Sequence, residues 1–283
     1  MMRSLVLALA IVAIAQPAAP RYDVYAVRFA HVPYAESSLV AGAAKGPLVD
    51  IAFTVWPIVD ASSGRVILVD AGFYRDKFMA SWKPQDYVRP SAALQDGLNI
   101  PPDRVTDIIV THSHWDHFDG ADLFPKATIW MQKAEFDYYF DPAGAVRNRG
   151  GLDAEDVPML ARLHAEGRVR LVDGDNQEIR PGIRVYTGGK HTFASQFVGV
   201  TAPEGTLILA SDNAYLYKNI DNGLAIAQTL DPAANVAAQK RMVALAGKAN
   251  RVIPGHDPAV FTRFKLVTPN VALLRQGSGG LVR

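Results

Sequence analysis

The chain has no cysteine. That excludes disulfides, thiolate metal ligands and the modified cysteine of a lipoprotein. Net charge is also nearly absent: 29 basic residues against 28 acidic ones give a formal +1 at pH 7. No long run of one sign breaks the balance, so nothing invites nucleic acid or an anionic membrane surface as a partner. Stable membrane insertion is not expected either. A bilayer span needs ~20 apolar residues, and the uninterrupted run at residues 5–15 has 11. Low-complexity sequence is limited to the Gly-Ser-Gly-Gly at 277–280.

That apolar run reads as a secretory leader. Arg3 precedes it, and Ala13-Ile14-Ala15 forms a small-x-small cleavage site. The expected organisation is a signal peptide over 1–15, a short linker over 16–20 and a single domain over 21–283. The expected location is the periplasm or the exterior. Apolar residues at 49% and charged residues at 20% describe an ordinary globular chain. Without disulfides, its stability must come from the core and from any bound metal.

The chemistry concentrates in Thr111-His112-Ser113-His114-Trp115-Asp116-His117. Three of the seven histidines fall within six residues, with a carboxylate among them. The apolar Ile108-Ile109-Val110 stops just before. A buried strand opening into a loop of polar residues at its C-terminal end is where open α/β sheets place their sites. Side chains two apart on an extended segment point the same way, so His112 and His114 can reach one metal. After the turn, Asp116 and His117 can reach a second. Imidazole and carboxylate suit zinc, and also iron, cobalt or manganese.

Elsewhere, residues 22–29 read as a strand and 31–46 as a loop rich in small residues, either a connection or a wall of a substrate cleft. Residues 51–59 and 65–70 form a hairpin across Ala61-Ser62-Ser63-Gly64. Asp70, ahead of Ala71-Gly72, could orient a ligating histidine from behind or cap its own turn. Helices are expected over 91–97, 154–166 and 235–247, and strands over 127–131, 169–172, 183–187, 196–200, 207–211 and 252–254. Residues 132–140 are a helix or loop whose Phe136, Tyr138, Tyr139 and Phe140 form core or an apolar pocket. His164 reads as solvent-facing or capping, and His31 carries no assignment. Strands lead and helices follow in each half. That suggests an α/β fold of two sheets packed face to face with helices outside.

Three later residues also stand at the ends of apolar strands: His191, Asp212 and His256. With the first cluster they make five histidines and two aspartates, enough for two divalent metal ions and one bridging carboxylate.

The run His112 to His117 resembles the HxHxDH signature of the metallo-β-lactamase superfamily. His191, Asp212 and His256 follow in that family's order, and Asp70-Ala71-Gly72 resembles its early DxG element. The resemblance implies the αββα sandwich and a dinuclear site. By that likeness His112, His114 and His191 hold one ion, Asp116, His117 and His256 hold the other, and Asp212 bridges them. Zinc is the first expectation. Within the superfamily the chain is most similar to the N-acyl homoserine lactonases. Tyr215, three residues after Asp212, matches their substrate-contacting tyrosine. The likeness implies opening of a lactone, preferably an N-acyl homoserine lactone, by a hydroxide held between two ions, with Tyr215 on the carbonyl and Asp116 returning a proton. The chain departs from that pattern at Lys190 and at Thr192-Phe193-Ala194, which puts loop shape and substrate in question. Other readings are a β-lactamase, a glyoxalase-II-like thioesterase or another ester hydrolase of the same fold. A β-lactamase would have cysteine or serine in place of Asp212. A metal-binding protein without activity is a further alternative. The expected partner is a small lactone or ester, and a homodimer is compatible with the sequence.

Overall fold

A run of nine consecutive buried residues, Ile51 to Val59, sets the architecture. No strand with one wet face reads that way, so both faces of its sheet must be covered. The computed structural model describes residues 21–140 and 152–277. The expected leader and linker lie outside the described residues, as does most of the Gly-Ser-Gly-Gly stretch. No helix among the described residues is long and apolar enough to cross a membrane.

The chain opens with β1 (Tyr22–Ala35), β2 (Leu48–Asp60) and β3 (Val66–Val69). Helices α1 (Asp76–Trp82) and α2 (Pro90–Leu98) follow. Then come β4 (Val105–Ile109), the single turn α3 (Trp115–Phe118), β5 (Thr128–Gln132) and α4 (Lys133–Tyr139). After α5 (Asp156–Ala165) run β6 (Val169–Val172), β7 (Gln177–Arg180), β8 (Ile183–Thr187), β9 (Gln196–Ala202) and β10 (Gly205–Ser211). The chain closes with α6 (Tyr217–Asn222), α7 (Pro232–Ala246), β11 (Val252–Pro254), α8 (Val260–Arg263), β12 (Lys265–Thr268) and β13 (Val271–Arg275).

Two sheets result. The larger has the order β12-β13-β1-β2-β3-β4-β5-β6 and the smaller β11-β10-β9-β8-β7. Strands β3 to β6 run parallel to one another, as do β10 and β11, and the other pairs are antiparallel. Alternation along each strand sorts the side chains into three apolar layers. Trp56, Ile58, Ile67 and Ile109 of the large sheet meet Val185, Val198, Leu209 and Ile253 of the small one. The opposite face of the large sheet, including Phe29, Val55, Leu68 and Ile108, packs on Leu94, Phe136, Leu160 and Leu163 of the helices. The outer face of the small sheet, with Phe197 and Ile208, takes Ala238 and Met242 of α7. This is the expected αββα sandwich.

Several elements differ from expectation. β1 does not stop at 29 but runs to Ala35, so His31 lies in a strand opposite Ala52 and forms a further bridge to Gln85. β6 pairs with β5 in the large sheet rather than joining the later strands. β7, β12 and β13, with α1, α6 and α8, were not foreseen. β13 returns from the C-terminal region to pair with β1.

Candidate metal centre

Each polar residue singled out by the sequence sits just past the end of a strand, on one edge of the sandwich. The large sheet supplies Asp70 after β3 and residues 112–117 after β4. The small sheet supplies His191 after β8, Asp212 after β10 and His256 after β11. The two sheets therefore meet through their polar ends. Backbone there is bent hard: Asp70 and Ser211 have φ of 57° and 47°, in the left-handed region that costs a non-glycine residue energy. Gly255 is needed for close approach, since a Cβ there would come within 2.9 Å of Asp212 Oδ1.

Among the described residues, the potential metal-binding atoms form two groups, one of His112, His114, His191 and Asp212, the other of Asp116, His117 and His256. Asp212 faces both groups with different oxygens. Its Oδ2 lies 3.2 Å from His191 Nε2 and 3.6 Å from His112 Nε2. Its Oδ1 lies 3.0 Å from His256 Nε2 and 3.2 Å from His117 Nε2. Asp116 Oδ2 is 3.4 Å from His117 Nε2 and 3.7 Å from His256 Nε2. On the other side, His114 Nδ1 stands 3.1 Å from His112 Nε2 and 2.9 Å from His191 Nε2.

The outer ring nitrogens fix which inner ones carry lone pairs. His117 Nδ1 donates to Asp70 Oδ2 at 2.7 Å, His256 Nδ1 to the Ala52 carbonyl at 2.9 Å, and His191 Nδ1 to the Gln228 carbonyl at 2.8 Å. His112 Nδ1 lies 3.1 Å from Thr111 Oγ1, which in turn donates to Asp70. The Nε2 atoms then point inward, at one another and at carboxylates, where only a proton or a metal ion can satisfy them. His117 Nε2 and Asp212 Oδ1 are buried without a hydrogen bond. Buried acceptors facing acceptors are costly unless a cation sits among them. The donor set therefore fits divalent cations, with His ring N–H groups anchored as metal-ligating imidazoles require.

Charge shapes the group further. Burial, then neighbouring His117, pushes His112 well below its usual 6.5, and burial with His191 takes His114 down to about 4. Burial opposes protonation of His117 too, but Asp212, Asp116 and Asp70 together hold its pKa well above 6.5. Burial likewise opposes ionisation of Asp212, yet His117 and His256 keep its pKa well below the ordinary carboxylate value.

Residues 54–256 match the family model of the metallo-beta-lactamase superfamily. The chain belongs to that superfamily. It is 28% identical over 175 residues to the N-acyl homoserine lactonase AttM of Rhizobium johnstonii, covering 59% of this chain and 64% of that protein. The match thus spans less than two thirds of the relative's length. Among solved structures, a quorum-quenching N-acyl homoserine lactone lactonase superposes with a TM-score of 0.70 at 19% identity, over 87% of this chain and 96% of that one. AidC, a dizinc quorum-quenching lactonase in complex with a product, gives 0.64 at 14% identity, over 89% and 90%. At these identities the superpositions show the common superfamily fold.

Beside the polar cluster of this superfamily member lies a cleft of about 270 Å³. Asp116, Asp212, Tyr215 and His256 line its floor, and Tyr34, Phe53, Trp82 and Trp115 its aromatic wall. Tyr34 and Trp82 lie 5.3 Å apart between ring centres, and Trp82 and Trp115 5.1 Å. Tyr34 and Leu39 come from the stretch over 31–46, which therefore does form a wall. Tyr215 is buried, with its hydroxyl 3.4 Å from His191 Nδ1. Burial, followed by the charges of Asp212 and Asp116, raises its pKa well above 10, so the phenol keeps its proton.

Asp70 sits behind the site. Besides His117, its carboxylate accepts the backbone N–H and the hydroxyl of Thr111 and the hydroxyl of Ser211. The aromatic cluster lies away from the cleft: Phe136, Tyr139 and Phe140 are core, and Tyr138 stacks on Phe193 at 3.8 Å. His164 is not solvent-facing but half-buried against Phe136, while its carbonyl receives the Gly167 N–H past the end of α5. Three residues that organise the site were not singled out from the sequence. Asn213 accepts from the Gly189 N–H and donates to the Ala210 and Gln196 carbonyls. Gln228 holds His191 through its backbone carbonyl and donates its side-chain amide to Tyr34. Glu135 joins two ligand-bearing loops. All three act on backbone or through it, so no side-chain spacing in the sequence signals them.

Proposed function

We propose that this protein is a dinuclear metal-dependent hydrolase that opens lactones, N-acyl homoserine lactones foremost. What carries the reading is Asp212, whose two oxygens address separate histidine groups, next to a cleft with an aromatic wall. By resemblance and by distance, His112, His114 and His191 would hold one ion and Asp116, His117 and His256 the other, with Asp212 facing both groups. Zinc suits this nitrogen and oxygen set, and iron, cobalt or manganese would be accepted by the same donors. Such ions, when bound, supply Lewis acidity and bring the pKa of a coordinated water to about 7.

The chain's own residues do the rest. The wall of Tyr34, Phe53, Trp82 and Trp115 holds the apolar part of the substrate and displaces bulk water from around it. Tyr215 donates its hydroxyl proton in a hydrogen bond to the carbonyl oxygen as negative charge builds there. Burial opposes ionisation of Asp116, but His117 holds its carboxyl below the ordinary carboxylate value. From the cleft floor it takes a proton from the attacking water as the new bond to the carbonyl carbon forms, and passes that proton to the leaving alkoxide as the ring C–O bond breaks. Asp70 keeps the His117 ring in the orientation and tautomer that ligation needs.

The test is turnover by zinc-loaded full-length protein on a panel of N-acyl homoserine lactones, simple lactones, nitrocefin and a glutathione thioester. Ring opening of the homoserine lactones in preference to the others supports the assignment. Turnover restricted to nitrocefin or to the thioester would move the protein to another hydrolase class of the same fold.

A further inference from the structure

We infer that Glu135 is a positioning residue that fixes the three-histidine half of the metal centre by clamping both loops that supply it. Glu135 stands in the first turn of α4, immediately after β5, and its residue is 1% exposed. One carboxylate oxygen, Oε1, accepts from the Ser113 hydroxyl at 2.8 Å and the Ser113 N–H at 3.2 Å. The other, Oε2, accepts from the Ala194 N–H at 2.7 Å. Ser113 lies between His112 and His114, and Ala194 lies three residues after His191. One side chain therefore spans the two segments whose histidines form the first donor group.

No basic side chain pairs with Glu135 among the described residues; its bonds are to a hydroxyl and two backbone amides. A buried carboxylate held this way is expensive compared with an apolar filler. Its two oxygens bridge two loops that are otherwise tied by Gln196, whose backbone N–H donates to the Thr111 carbonyl at 2.8 Å and whose side-chain amide donates to the Val110 carbonyl at 2.7 Å. The same helix adds Tyr139, whose hydroxyl accepts the Phe193 N–H at 3.1 Å. The second donor group is held by different means: Asp70 on His117 and the Ala52 carbonyl on His256. Loss of the Glu135 clamp should therefore act on one ion and not the other. Partners that orient metal-ligating loops and rings typically contribute 10–100-fold in metal affinity.

The inference rests on the two-ion reading, and the experiment separates them. Chelator-stripped full-length protein is titrated with Zn²⁺ against a chromophoric chelator. Glu135→Gln keeps the volume but turns one acceptor into a donor, so one of the two links breaks. It is measured in the parent protein, in His256→Ala, which leaves the three-histidine position, and in His191→Ala, which leaves the other. Glu135→Gln should weaken zinc binding about 10–100-fold in the His256→Ala background. In the His191→Ala background it should change binding by no more than about twofold, the usual scatter for independent sites. Tyr139→Phe should weaken the same position by less. Cobalt absorption of the His256→Ala protein should change on adding Glu135→Gln. Equal weakening in both backgrounds, or none in His256→Ala, would overturn the clamp and leave Glu135 as ordinary core. A parent protein that takes up one ion or none would overturn the two-ion reading and the clamp with it.

Discussion

Tyr215 and Asp70 show how single side chains divide the work. A tyrosine buried this deeply, with its pKa raised by burial and by Asp212 and Asp116, is a hydrogen-bond donor at every working pH. If it stabilises charge on the substrate oxygen, Tyr215→Phe should lower kcat about 10²–10³-fold, the cost of one oxyanion donor. KM and zinc content should stay near the parent's. Steady-state kinetics beside metal analysis check this, and an unchanged kcat would return Tyr215 to the core. Asp70→Asn is the complementary case. The carboxylate accepts from His117, Thr111 and Ser211 at once, and an amide has only one oxygen to offer. Zinc should be held about 10–100-fold more weakly, with the loss read by chelator competition. The donors themselves were legible in the sequence because each is a histidine or aspartate at the end of an apolar strand. Asp70 was half legible: a carboxylate before Ala-Gly at a strand end fits both a brace and a turn cap. Glu135 was not legible, since two of its three bonds are to backbone amides, which look alike at every position, and the third is to a serine hydroxyl, which the sequence does not distinguish from any other.

At the scale of elements, β1 departs most from what its composition suggests. Residues 31–46 hold small residues and two glycines, which read as loop, yet β2 supplies partners as far as Ala35. Pairing with a long buried strand outweighs the local signal. His31 marks the consequence. Its Nδ1 meets Asp50 at 3.0 Å and its Nε2 meets Asp86 at 3.2 Å, while its backbone pairs with Gln85. That ties β1, β2 and the segment after Trp82 together beside the aromatic wall. The hydrogen bond to Asp50, helped by Asp86 against partial burial, raises its pKa above 6.5. A raised folded-state pKa contributes stability that is complete below the unfolded value and disappears as pH climbs through the folded one. The stability gap between parent and His31→Ala should therefore be largest near pH 6 and shrink by pH 9. The carboxylates face solvent, so the gap should stay within about 1 kcal/mol. Urea titrations of both proteins, equally zinc-loaded, would detect it. A gap that widens toward pH 9 would remove the ion pair from the account. β12 and β13 are not evident in the sequence for a related reason: they are short, and what fixes them is the pairing of β13 with β1 across more than two hundred residues, with β12 added on its outer side.

Across the whole molecule, the metal centre is a joint between sheets. Asp70 and residues 112–117 belong to the large sheet's edge, whereas His191, Asp212 and His256 belong to the small one's. Ions shared by both groups would cross-link the sandwich at that edge, so their removal should loosen the two layers together. An ion at a free concentration 1,000 times its Kd contributes about 4 kcal/mol of stability, and a clear fall in Tm should follow chelation. The pH dependence gives this a sign. In the stripped protein, His112 and His114 have depressed pKa values, and their contribution is lost as pH falls below 6.5. His117 and His256 have raised values, carried by Asp212 and Asp116 against burial, and their contribution is lost as pH rises above 6.5. The stripped protein is therefore pressed from both sides, and gives up the His117 and His256 protons only as pH rises above the ordinary imidazole value. The loaded protein has ions where those protons were, and binding that releases protons strengthens as pH rises. The difference in Tm between loaded and stripped protein should widen from pH 6 to pH 8.5 by calorimetry. A difference that stays flat or narrows over that range would mean that the ions do not replace those protons, and that the two sheets are held at this edge by something other than metal.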